Sequence, residues 1–352
     1  MTRNIIDKQW IASLLSLILA SGLIGSGCRQ TEQDADSAAE TSPSSEPVLL
    51  IEDPAPRLIA VDAQDAEDAP FFLPRTDTMR DWVKTQPVRT GSAADATSMT
   101  EAGLAAVLAT FDIARVSVCT YEQPELRAEV LAIETGTPED AFGIFSLLAD
   151  GIWIFRGDRS IRAQVEAAAP VWYGWQGHSL IRVRGEGRIN PQTEKALADL
   201  LGRIIFYIPA TDAPLLARTI PPASRVDSRI WVVRDLRPLR EHYTELFGTI
   251  DAKALNERLG LTGEAMISVA RVRQEPSHTE ELIWLAQYPN ATAAQNAHTR
   301  YRQALNDSDD KGSLLLEPRD VFVVGGWSGQ SEQVQRMLKE LREALPIEPT
   351  QP

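Results

Sequence analysis

A strand running through a glycine into a capped helix constrains this chain most, because the pattern occurs twice. In Arg127–Ala149 the run Val130-Leu131-Ala132-Ile133-Glu134 passes Gly136 and reaches Thr137-Pro138-Glu139-Asp140. That is a helix start, with Thr137 as cap and Pro138 at the first helical position. Ala141, Phe142, Phe145 and Leu148 then line one helical face. In Glu281–Leu305, Leu282-Ile283-Trp284-Leu285-Ala286 leads through Tyr288-Pro289 to a helix capped by Asn290. Each stretch follows a strand and a Pro-containing turn, Ile113–Thr120 with Glu122-Gln123-Pro124 in the first and Ala265–Val272 with Gln274-Glu275-Pro276 in the second, so each reads as a hairpin followed by a helix.

The later half of each copy matches without gaps. Leu180–Val183 reaches Gly185 and a helix at Asn190-Pro191, while Val321–Val324 reaches Gly326 and a helix at Ser331. Counted from those caps, Leu197 corresponds to Leu338, Leu200 to Leu341 and Ile204 to Leu345, one apolar stripe per helix. The expected fold class is therefore α+β, with two similar ferredoxin-like units (hairpin–helix–strands–helix), mostly antiparallel sheets and helices on one face. Between caps the first copy, Thr137 to Asn190, is twelve residues longer than the second, Asn290 to Ser331. The extra length carries the aromatic segment Trp172, Tyr173, Trp175 and His178. Two readings of that segment stand: a ligand or partner loop, or a cap on the open end of the first sheet.

The remaining chain divides around these units. Residues 1–28 read as a lipoprotein-type signal peptide, with Arg3 and Lys8 before an apolar run from Ile11 to Ile24 and Gly25-Ser26-Gly27-Cys28 at its end. Such a run spans about 21 Å as a helix, short of a hydrocarbon core of about 30 Å, so export and cleavage are expected rather than a permanent span. The ending resembles a bacterial lipobox, which makes Cys28 the lipidated residue, although Gly25 stands where that pattern prefers Leu. The implied location is the bacterial cell envelope, anchored to a membrane through Cys28, in the periplasm or on the outer face.

Residues 29–70 hold eleven acidic residues against Arg29 and Arg57 and are rich in Ala, Ser and Pro, the composition of a flexible acidic tether interrupted by Val48–Ile51. Residues 71–208 form the expected first unit, 209–261 a connector with a strand in Ser228–Arg234, 262–346 the second unit and 347–352 a tail. Ser98-Met-Thr-Glu101 has the spacing of a capping box before a short helix through Leu104, Val107 and Leu108. The formal net charge of −14 argues against nucleic acid as a partner, since binding there needs a basic face.

The run Glu134–Ser146, with its Ala-Phe-Gly-Ile-Phe-Ser core, resembles an uncharacterised bacterial family, domain of unknown function 6599. Gly177–Arg184, Leu285–Ala294, Leu73-Pro74 and Leu259–Gly263 fit the same pattern, so the resemblance covers roughly Phe71 to Leu345. It implies an exported or lipid-anchored protein and assigns no catalytic residue.

Catalytic signatures are weak throughout. Gly326-Trp327-Ser328-Gly329 sits between strand and helix, but Gln330 occupies the last place of the nucleophile elbow and no histidine follows it. Asp307-Ser-Asp309-Asp310 begins like a calcium loop but has Lys311 at a ligand position and Pro318 in place of the bidentate Glu. His178, His242, His278 and His298 lack metal-ligand spacing, and His298 lies eight residues past its cap, as Phe145 does, which suits packing. No metal or cofactor is expected, and no catalytic residue is assigned. The leading reading is a non-catalytic binding or interaction module with a protein or envelope-component partner. The alternative is an enzyme of unrecognised type with its site in the groove between the two units. Cys119, in the strand-like run Val116–Cys119, reads as a buried free thiol.

Overall fold

The computed structural model describes residues 62, 64–75, 79, 81–156, 160–165, 170–187, 190–220, 225–226, 229–242, 251–273, 280–307, 313–327 and 331–347. The leader with Cys28, the tether through 61, His278, residues 308–312 and 328–330 and the last five residues lie outside this set, as does the side chain of His242. The described residues, from Asp62 onward, belong to one compact unit. It is an α+β body built on two antiparallel sheets. None of the described helices is long and apolar enough to cross a membrane.

The first sheet has seven strands: β1 Val83–Gly91, β2 Ile113–Gln123, β3 Leu126–Thr135, β4 Ile152–Phe155, β5 Ile161–Val165, β6 Val171–Gln176 and β7 Ser179–Gly187. Their order is β1-β2-β3-β7-β6-β5-β4. Helix α1 (Ala102–Leu108) precedes β2, α2 (Pro138–Leu148) follows β3, and α3 (Pro191–Phe206) follows β7. After α4 (Leu215–Thr219) come β8 (Trp231–Val233), α5 (Leu236–His242) and α6 (Ala252–Leu259). The second sheet uses β8 with β9 (Met266–Arg273), β10 (Glu280–Gln287), β11 (Leu314–Leu315) and β12 (Phe322–Trp327), in the order β11-β12-β10-β9-β8. Helix α7 (Ala291–Asn306) follows β10 and α8 (Glu332–Ala344) follows β12. The strands β2-β3-β7-β6 thus sit in the same relative order as β9-β10-β12-β11. The longer first copy adds the β4–β5 hairpin at the outer edge.

All four expected caps form. Thr137 accepts from the Asp140 amide at 3.2 Å, Asn190 from Gln192 and Thr193 at 2.9 and 3.0 Å, Asn290 from Ala293 at 2.9 Å and Ser331 from Val334 at 3.2 Å. The Ser98–Glu101 capping box does not form. Helix α1 starts after Glu101 without a side-chain cap, and the reciprocal pair is Ser92 with Asp95, the Ser92 amide donating to Asp95 Oδ2 at 2.8 Å. The expected 228–234 strand is confined to Trp231–Val233 and joins the second sheet as its edge.

The expectation that helices lie on one face is corrected. On β6, Trp175 meets Phe142 of α2 edge-on at 5.5 Å, whereas its neighbour Gly174 is covered by Leu201 and Ile205 of α3. Adjacent strand residues point to opposite faces, so α2 and α3 cover opposite sides of the first sheet. The second sheet repeats this arrangement. Trp284 packs edge-on to Tyr301 of α7 at 5.7 Å, while Gly326, on the face away from Trp284, lies against Leu338 of α8. The reason is in the strands: Val130–Ile133, Leu282–Ala286 and Phe322–Val324 are apolar at every position and buried on both sides.

The core accordingly has two parts. One lies between β1–β3, β7 and α3, and takes in Phe72, Leu73, Met79 and Trp82. The other runs from α1 and α2 through the second sheet. The last residues of the acidic segment dock on β1. Lys84, with no exposed surface, bonds Asp62 at 2.6 Å and Asp65 at 2.5 Å, Asp65 also accepts from the Val88 amide at 2.8 Å, and the Ala66 amide donates to the Val88 carbonyl at 3.0 Å. Cys119 is buried beside this site and its thiol is pushed up to about 12 by burial, which leaves it inert near neutrality.

His298 is 2% exposed on the sheet side of α7, with Nε2 3.6 Å from Glu317 Oε2. Burial holds its imidazole below the ordinary histidine range, Arg302 pushes the same way, and Glu317 opposes both. A histidine depressed in the folded state is uncharged when folded and binds a proton more readily when unfolded. Stability is therefore full above the unfolded value near 6.5 and falls as pH drops below it. Urea midpoints measured between pH 7.5 and 5 should fall across that window, and His298→Gln should flatten the change.

Candidate ligand groove between the two sheets

The two strand-to-helix turns that recur in the sequence face one another across a groove of about 720 Å³. Thr137 and Glu139, from the turn into α2, contribute one wall, and Gln287, Tyr288 and Pro289, from the turn into α7, the other. Arg234, just past β8, and the Gly263-Glu264 corner before β9 complete it.

Each wall is fixed by its own chemistry. Asp112 lies over Gly136, where an added Cβ would fall 2.3 Å from Oδ2, and the Gly136 amide donates to the Asp112 carbonyl at 3.0 Å. A side chain at Gly136 would therefore displace that carboxylate. Tyr288 donates its hydroxyl to the Leu259 carbonyl at 2.7 Å, its amide bonds the Val321 carbonyl at 2.9 Å, and burial raises its phenol. Gly263 takes a φ of +62°, a left-handed conformation that suits glycine at this corner.

The principal charge contact is a forked ion pair. Arg234 Nε and Nη2 donate to the two oxygens of fully buried Asp140 at 2.7 and 3.0 Å, and Nη1 donates to the Gly263 carbonyl at 2.9 Å. Thr137 Oγ1 donates to Asp140 Oδ2 at 2.8 Å, so Asp140 is held by the same residue that caps its helix. The Arg234 guanidinium is raised chiefly by its hydrogen bonds to Asp140, with burial opposing and Asp112 and Glu139 adding to the rise. Asp140 already neutralises Arg234. The lining carboxylates Asp112, Glu139 and Glu264 therefore leave the groove negative.

The aromatic segment takes another role. Trp172, Tyr173 and Trp175 belong to strand β6 rather than to a loop. Trp175 is fully buried against Phe142, Tyr173 is buried, and Trp172 is half-buried against the α3 core. Only His178, in the tight turn to β7, is exposed, with Nδ1 3.3 Å from the Thr135 carbonyl. The cause is pairing: Trp172 to Gln176 form a continuous ladder with β7, and the bare Gly174 admits Leu201 and Ile205. The pairing therefore makes the three aromatics part of the sheet rather than of a loop, and leaves exposed surface on Trp172 and His178.

Sequence reasoning placed Thr137 and Asp140 at a helix start but missed Arg234, the ion-pair partner of Asp140, and the lining residue Glu264, which come from the connector and the next corner. The alternation of charge in Arg234-Asp235 gave no sign of which residue turns inward. Among the described residues no group of three or more His, Cys, Asp or Glu is arranged to hold a metal ion. Comparison with known proteins returns no matching family model, curated protein or solved structure.

Proposed function

We propose that this is an exported lipoprotein, anchored through Cys28 to a membrane of the bacterial cell envelope, whose body is a non-catalytic binding module. Its site is the groove between the sheets, and its ligand carries an amine or guanidinium group. The reading rests on one observation: a cleft built by the two equivalent strand-to-helix turns, with its single lining cation locked to Asp140 and three further carboxylates on its walls. A cation entering it gains from all three, while an anion meets like charge. The volume suits a small molecule or a short side-chain-bearing segment.

The same geometry supports duplication of a four-stranded α+β unit, related to a ferredoxin-like layer by strand order but with its two helices on opposite faces. Two sets of four strands share one order, which is the ferredoxin-like order with the last strand moved to the front, and Gly185 lies against Leu197 as Gly326 lies against Leu338. Membership of domain of unknown function 6599 is part of this proposal and is supported by the Ala141–Ser146 motif, whose Phe142 and Phe145 pack beside the groove's α2 wall.

Titration calorimetry of the full chain with spermidine, and with glutarate as the charge-reversed control, tests the binding reading. Spermidine should bind and glutarate should not, and a Glu139→Gln, Glu264→Gln double variant should bind spermidine at least tenfold more weakly, at about 1 kcal/mol or more per lost charge contact. Equal affinity in the wild type and the variant overturns the reading.

A further inference from the structure

Strand β4 ends the seven-stranded sheet, and its sequence is unlike a protected edge. Ile152 and Phe155 are 84% and 54% exposed, and Ile152-Trp153-Ile154-Phe155 carries no charge. Exposed apolar edge strands are templates for pairing, and soluble proteins normally blunt them with charge, proline or a bulge. The Arg156 amide donates to the Ser160 carbonyl at 3.0 Å, so Arg156 bonds inward to the β5 side. Ile154 opposite Arg162 and Ile152 opposite Gln164 share that parity. The antiparallel ladder alternates, so Trp153 and Phe155 turn their amides and carbonyls outward.

We propose that β4 pairs with β4 of a second copy of this chain around a two-fold axis normal to the sheet, joining two seven-stranded sheets into one. Such an axis keeps each face on its own side, so residues of like parity must meet. Centred on Trp153, the pairing sets Trp153 against its own copy as a hydrogen-bonded pair. It covers Ile152 with Ile154 of the partner subunit on the α3 face. On the α2 face it carries Phe155 to the partner's Gly151, at the bend that precedes β4. At the flanks it sets Asp150 beside Arg156 of the partner subunit. Asp150 already accepts from Arg229 of its own chain, and a carboxylate with two oxygens takes both guanidinia. Shifting the centre by one residue either way, the nearest like-parity alternatives, loses the Asp150–Arg156 match, so charge selects the register. The contact is isologous, as a closed dimer requires.

The test is sedimentation of the full chain in a non-ionic detergent. The wild type is expected to be a dimer at low micromolar concentration. Asp150→Arg and Arg156→Asp should each weaken dimerisation at least tenfold, and the two together should restore it, an outcome that misfolding does not give. In a parallel experiment, Ile152→Cys chains mixed with Ile154→Cys chains should crosslink under mild oxidation, while either variant alone should not. A monomer at all concentrations, single charge reversals without effect, or a double reversal that fails to restore the dimer overturns the proposal.

Discussion

Asp140→Ala is expected to lower the unfolding free energy by about 3–5 kcal/mol, the cost of breaking a buried ion pair from one side. The carboxylate has no exposed surface and receives the Arg234 fork and the Thr137 hydroxyl. Its removal leaves a half-buried guanidinium with the Gly263 carbonyl and the nearby charges of Asp112 and Glu139, and strips the α2 N-terminus of the group that fixes its cap. Denaturant unfolding measures the loss as a shift in midpoint at constant slope. Asp140→Asn keeps the shape and one acceptor, and should cost less. A loss below about 1 kcal/mol for the alanine variant would mean that Arg234 re-pairs with another carboxylate of the groove. The same substitution releases the groove's cation, so spermidine binding should weaken alongside stability.

Lys84→Met is expected to be comparably severe, about 3–5 kcal/mol. The ammonium is fully buried between Asp62 and Asp65, whose side chains are 5% and 18% exposed. A methionine fills the space but leaves two desolvated carboxylates close together without the ammonium that bridges them. The triple variant with Asp62→Asn and Asp65→Asn removes both charges and should recover much of the loss, which separates electrostatics from packing. Proteolysis at residues 62–75 reports whether this segment leaves β1 when the lysine is gone, and the single variant should be cut there faster than the wild type.

Much of the fold could be read from the chain because local rules governed it. Thr137, Asn190, Asn290 and Ser331 cap helices for reasons held within three residues, and the hairpins β2–β3 and β9–β10 follow from paired apolar runs around a turn. His298 was placed correctly by counting from a cap. What escaped was decided by distant partners. Strand β1 carries alternating polar residues, Lys84, Gln86 and Arg89 among them, and exists because Asp62, Asp65 and β2 supply what it needs. The opposite-face helices were signalled by strands apolar at every position, a mark of burial on both sides that alternation-based reading passes over. The aromatic cluster around Trp175 left two readings open, a binding loop or a cap on the first sheet, because its density of large rings is the same whether it faces solvent or Phe142. Of the groove, the sequence exposed only the two turns; the ion pair that ties the first of them to the end of β8 spans ninety-four positions between Asp140 and Arg234.

Helix α2 also links the two layers. It covers the first sheet through Phe142 and Phe145, yet its outer side receives β8 of the second: the Val232 amide donates to Ser146 Oγ at 3.1 Å, and a side chain at Gly143 would strike the Val232 carbonyl. The partner for Ser146 is encoded eighty-six residues downstream. During vectorial delivery of the chain, the N-terminal half must wait with a glycine-bared, apolar helical flank uncovered until Val232 arrives. That flank is therefore uncovered for a defined window, opening once α2 has formed and closing when β8 docks.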